Sequence, residues 1–75
     1  MERSKYLMAK INGKLDKFRS DEISRRISAK YSLNDQIAIL MDKDVKPDEW
    51  NAYQEYRAKV KADIDGEISA FERES

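Results

Sequence analysis

Asp63, Asp65 and Glu72, with Gly66 between them, are the residues whose types and spacing come nearest to recognisable chemistry. A calcium loop of the EF-hand kind needs oxygen ligands at its first, third, fifth and twelfth positions and glycine at its sixth. With Asp63 at the third position, Asp65 falls at the fifth, Gly66 at the sixth, Ile68 at the eighth and Glu72 at the twelfth. The first position is Lys61, an ammonium where the ion needs a carboxylate. Ile64, Ile68 and Phe71 also continue a helical stripe without a phase error. The preferred reading is an uninterrupted helix weakened by Gly66, with a degenerate calcium loop at 61–72 as an alternative. No metal or cofactor is expected. Asp42, Asp44, Asp48 and Glu49 also cluster, but Lys43 and Lys46 interleave with them, and they read as helix caps and linker.

Catalysis has little to work with. The chain has no histidine and no cysteine, so the commonest general base and a thiolate nucleophile or ligand are both missing. Its serines have no evident base, no glycine-rich phosphate loop occurs, and the carboxylates are spread over polar faces. A chain of 75 residues is also small for enclosing a pocket. We expect a protein that is not an enzyme.

Basic residues suggest a second kind of chemistry. Arg25, Arg26 and Lys30 lie in EISRRISAKYSLNDQI, a stretch with the outline of a helix-turn-helix. The second helix of such a motif reads bases with its first residues, which here are Leu33, Asn34 and Asp35, and no cation occurs between Tyr31 and Met41 to hold phosphate. Nucleic-acid binding through the basic first half is therefore an alternative. The charge is divided: residues 1–30 carry nine Lys/Arg and four Asp/Glu, whereas 31–75 carry six and eleven, so the halves balance at plus five and minus five. Antiparallel packing of the two halves explains that division. The basic, amphipathic first segment could also lie on anionic lipid, although no apolar run approaches the ~20 residues of a membrane span.

The elements that would position these groups are helical. Charged residues make up 40% of the chain, and glycine and proline number two and one, a composition of helix formers. Met8, Ile11, Leu15 and Phe18 recur at steps of three and four, which marks one face of a helix over 2–19 with Gly13 inside it. Phe18 to Ile23 is a step of five, and Ser20 followed by Asp21 and Glu22 reads as a fresh helix start. This places a break near Ser20 and a second helix over 21–31. Ser32, three residues before Asp35, opens a third over 33–41, although one helix from 21 to 41 remains open. Pro47 suits a first helical position, and Asp48 and Glu49 suit the positive helix end. The last helix should run over 47–72.

Along that last helix Trp50, Tyr53, Tyr56, Val60, Ile64, Ile68 and Phe71 recur at steps of three and four, the spacing of a coiled-coil-like seam. Tryptophan and tyrosine are favoured at interface hot spots, so this row is the candidate interaction surface. It would pack against Leu33–Met41 and the Met8-to-Phe18 face, or against another chain. So short a chain buries only about 60% of its unfolded surface, and oligomerisation is a common remedy.

From Tyr31 onward, KYSLNDQIAIL, a charged linker and KPDEWNAYQEYRAKVKADID resemble short helical segments of bacteriophage and prophage proteins from tail or structural regions. The resemblance covers 31–75 and implies a small structural or assembly component with no catalytic residues. Together these readings describe an all-α protein: a single helical domain over 1–75, built as a three- or four-helix bundle or helical hairpin with a long C-terminal helix, and expected to be oligomeric. Its expected role is protein–protein assembly, through self-association or a structural partner. Its expected location is the cytoplasm, or a virion if phage-encoded.

Overall fold

The computed structural model describes residues 2–74, which form four helices and no strands. They are α1 (Arg3–Ile11), α2 (Leu15–Lys30), α3 (Leu33–Met41) and α4 (Pro47–Glu74). The chain is all-α, as its composition and periodicity indicate. No helix among the described residues is long and apolar enough to cross a membrane.

The first chain reversal lies at Gly13 rather than Ser20. Lys14 donates its N–H to the Ala9 carbonyl at 2.8 Å, and Gly13 donates to Lys10 at 3.2 Å. These two bonds are the glycine-terminated cap that closes helix ends. It requires the left-handed backbone of Gly13, φ +69°, which glycine adopts without a Cβ penalty. Ser20 is instead an exposed residue in mid-helix. The expected helices over 2–19 and 21–31 are thus corrected to α1 and α2. The five-residue step from Phe18 to Ile23 reflects two packing sites on one helix. Phe18 meets Tyr6 edge-on at 6.5 Å, while Ile23 and Ile27 enter the main core.

The second break separates α2 from α3. Tyr31 is extended (φ −120°, ψ 116°), and the Ser32 hydroxyl accepts the Asp35 N–H at 3.1 Å, satisfying one of the unpaired donors of the first turn. The turn at residues 42–46 closes through N–H groups of Val45 and Lys46 donated to the Asp42 carbonyl. Pro47 then starts α4 with Asp48 and Glu49 in its first turn.

The 28 residues of α4 make a rod of about 42 Å, which accounts for most of the 47 Å length of the molecule. α2 packs along its middle, α3 against its N-terminal part and α1 against its C-terminal part. Ile23, Ile27, Tyr53, Val60 and Ile64 form the core, with Tyr31, Ile39, Trp50, Tyr56 and Ile68 around it. A second apolar knot holds α1: Tyr6, 0% exposed, stacks on Phe71 at 5.1 Å.

The radius of gyration is 14.9 Å, whereas a compact domain of this length has about 11 Å. So elongated a shape leaves little interior, and several large apolar residues stay outside.

Candidate interaction surface

The row from Trp50 to Phe71 faces the other helices of its own chain. Tyr53, Val60 and Ile64 are buried, and Trp50, Tyr56, Ile68 and Phe71 are half-buried. The Tyr53 hydroxyl donates to Gln36 Oε1 at 2.6 Å, and Gln36 Nε2 donates to the Tyr31 carbonyl at 3.0 Å. Tyr56 donates to the Arg26 carbonyl at 3.4 Å. Tyr31 meets the Tyr53 ring edge-on at 5.1 Å. These contacts make the aromatic row an internal seam.

The faces expected to cover that seam behave differently. Successive helical residues are about 100° apart. In α3, the half-buried Ile39 and Gln36 turn toward α4, and Leu33, Ile37, Leu40 and Met41 run along one flank and onto the outer side of the helix. All four are exposed, Met41 at 77%, and Val45 in the following turn joins them. In α1, burial of Tyr6 likewise sends Leu7, Met8 and Ile11 outward, Ile11 at 79% exposure. The expected single face from Met8 to Phe18 that would cover the seam is not formed: the Gly13 turn divides it between α1 and α2, and Met8 and Ile11 stay exposed. The sequence reading missed Tyr6 because its stripe began at Met8. The signal was a lone aromatic among lysines in the first helix.

A groove of about 220 Å³ borders the exposed face of α3, lined by Gln36, Ile37, Leu40, Trp50, Tyr53 and Arg57. The Arg57 guanidinium lies 5.6 Å from the Tyr53 ring centre, and its Nε is buried with no hydrogen-bond partner among the described residues. On the other side of α3 a wider cleft of about 460 Å³ is lined by Lys30, Asp35, Asp42, Lys46 and Glu49 among others. Charges of both signs interleave there.

The opposite charges of the two halves meet within the molecule. Arg19 grips Asp65 with two donors, at 2.6 and 3.1 Å. Arg26 bridges Glu22, at 3.2 Å, and Glu67, at 2.7 Å. Arg25 also pairs with Glu22, and Arg3 reaches Glu74 at 3.7 Å. Hydrogen bonding by Arg25 and then Arg26 holds the Glu22 carboxyl below its usual range, and Arg26 does the same for Glu67. Arg19 lowers Asp65 by the same means.

These pairs fix the position of the other candidate residues. Arg25 and Arg26 spend their guanidinium groups on acids of the same chain, and Lys30 lies over the Tyr56 ring at 4.4 Å. Asp63, Asp65 and Glu72 lie on an unbroken helix that passes through Gly66. Asp63 and Asp65 diverge around its axis and Asp65 is held by Arg19, so the loop geometry of the calcium alternative is not formed. Among the described residues no group of three or more acids is placed to hold a metal ion. No family model, no curated protein and no solved structure matches the chain.

Proposed function

We propose that this chain is a small helical protein–protein assembly component whose working surface is the outward face of α3. The observation that carries the reading is the exposed row Leu33, Ile37, Leu40 and Met41, continued by Val45. Single exposed apolar residues are ordinary, but a contiguous patch of them on a small protein marks an interaction site. The adjoining groove adds Trp50 and Arg57, residue types that anchor interfaces. No catalytic step is proposed.

The seam from Trp50 to Phe71 serves this role indirectly: it holds α3 in place while α3 meets the partner. The nucleic-acid alternative loses support because Arg25 and Arg26 are engaged with Glu22 and Glu67.

A photo-crosslinking side chain at Leu40 or Met41, in the cells that make the protein, tests the reading. Discrete protein adducts at these positions, and none at the exposed Lys59, are expected. Equal or absent crosslinking at all three positions would overturn it.

A further inference from the structure

The molecule carries two unpartnered apolar edges, at opposite parts of a rod and with opposite charge around them. At one part, Leu7, Met8 and Ile11 project from α1. Residues 3–14 hold Arg3, Lys5, Lys10 and Lys14 and no acid, a charge of plus four, or plus three once Arg3 is set against its partner Glu74. Lys5 and Lys14 pair with no described acid. At the other part lies the α3 edge. Residues 32–49 hold Asp35, Asp42, Asp44, Asp48 and Glu49 against Lys43 and Lys46, a charge of minus three. None of those five acids forms a described ion pair. α1 is anchored on Phe71 and α3 on Tyr53, and these anchors stand about 27 Å apart along α4.

We propose that the occupant of the α3 edge is a second copy of this chain, docked head to tail through its α1 edge. This rests on the reading of α3 as an assembly surface and names its partner. One contact then covers both apolar edges and brings the surplus cations of one copy to the surplus acids of the next. Electrostatic complementarity of this kind fixes register and speeds encounter. The two surfaces differ, so the contact is heterologous: each copy keeps one edge free, and chains grow until a ring closes or the filament remains open.

Two single substitutions at exposed sites test the arrangement by sedimentation velocity, with circular dichroism to confirm that each variant folds. Ile11→Glu places an acid on the α1 edge, where it would meet the acidic edge of the next copy. Met41→Asn replaces an apolar side chain of the α3 edge with an amide that would find no partner against Leu7, Met8 and Ile11 of the next copy. A charge facing like charges, or an amide trapped without a partner, weakens a contact on the order of tenfold or more. The wild type should form a concentration-dependent series of oligomers that shrinks as salt is raised. Each variant alone retains one working edge: it should be monomeric where the wild type associates. Their equimolar mixture retains one intact pair of edges and should give a dimer that grows no further.

A closed dimer that Met41→Asn abolishes and Ile11→Glu leaves intact would overturn the head-to-tail contact in favour of symmetric α3 pairing, with the assembly role standing. A wild type that is monomeric at every concentration would overturn self-association, leaving the assembly role to the crosslinking test. Binding of that monomer to phosphatidylserine vesicles or duplex DNA, lost in a Lys5→Glu, Lys14→Glu double variant, would assign the α1 edge to lipid or nucleic acid and likewise overturn the proposal.

Discussion

The two glycines should respond to the same substitution with opposite signs. Gly13 occupies the left-handed region at φ +69°, and a Cβ added there meets no atom within 4 Å, so the cost of Gly13→Ala comes from the backbone alone. Forcing an L-residue into that region costs roughly 1–2 kcal/mol, offset in part by about 0.4–1 kcal/mol from the reduced freedom of the unfolded chain. A net loss of about 1 kcal/mol is expected. Gly66 lies inside α4, and its added Cβ is also unobstructed. Alanine is favoured over glycine in a helix by about 0.8–1.0 kcal/mol, so Gly66→Ala should gain about that much. The two variants should differ by about 2 kcal/mol. For a domain of this size 1 kcal/mol moves Tm by about 4–8 °C, so the melting curves should separate by roughly 8–16 °C. Thermal and urea unfolding followed by far-ultraviolet circular dichroism measure the difference directly. If Gly13→Ala were stabilising, α1 and α2 would be one helix as the apolar stripe suggests. If Gly66→Ala were destabilising, the helix through 61–72 would be wrong and the loop reading would return.

Three further outcomes follow from the contacts. Ser32→Ala removes the hydroxyl that accepts the Asp35 N–H and should cost about 1 kcal/mol, with faster amide exchange confined first to the start of α3; unchanged exchange there would show the cap to be idle. Tyr6→Phe removes a buried hydroxyl that has no hydrogen-bond partner among the described residues and should be neutral or stabilising by about 1 kcal/mol, whereas Tyr6→Ala should lose about 3–5 kcal/mol; a large loss in Tyr6→Phe, measured by urea titration, would reveal a partner for that oxygen. Acid should weaken the fold: Glu22, Asp65 and Glu67 have lowered folded-state pKa values, so their contribution is complete above the ordinary carboxylate pKa of about 4 and is lost as the pH falls through the folded values. Arg26→Gln, which removes one partner of Glu67 and leaves Glu22 to Arg25, should cost no more than about 1 kcal/mol near neutrality and flatten part of the acid limb of stability against pH, and an unchanged acid limb would show the Arg26 pairs to be energetically silent.

The sequence by itself determined the helical class and most helix ends. Pro47 with Asp48 and Glu49 started α4, and its apolar residues at steps of three and four marked the face that must be hidden. Ser32 marked the start of α3. The division of charge between the halves also had its structural counterpart in Arg19–Asp65 and Arg26–Glu67. Each of these signals is local or periodic, and a linear text preserves it.

Only the tertiary structure decided which apolar faces go inside. α3 is apolar around much of its circumference, so periodicity could not choose between Ile39 and the row Leu33, Ile37, Leu40 and Met41. The choice came from the docking of Gln36 on Tyr53. In α1 the same competition was settled by Tyr6 stacking on Phe71, more than sixty positions away in sequence. Gly13 looks the same in a chain whether it weakens a helix or ends one, and its left-handed backbone appears only when Ala9 and Lys10 accept the closing hydrogen bonds. A rod this slender has too little interior for every apolar stripe its sequence writes. The stripes left outside are decided by the geometry of helix pairing, which depends on partners far apart in the chain.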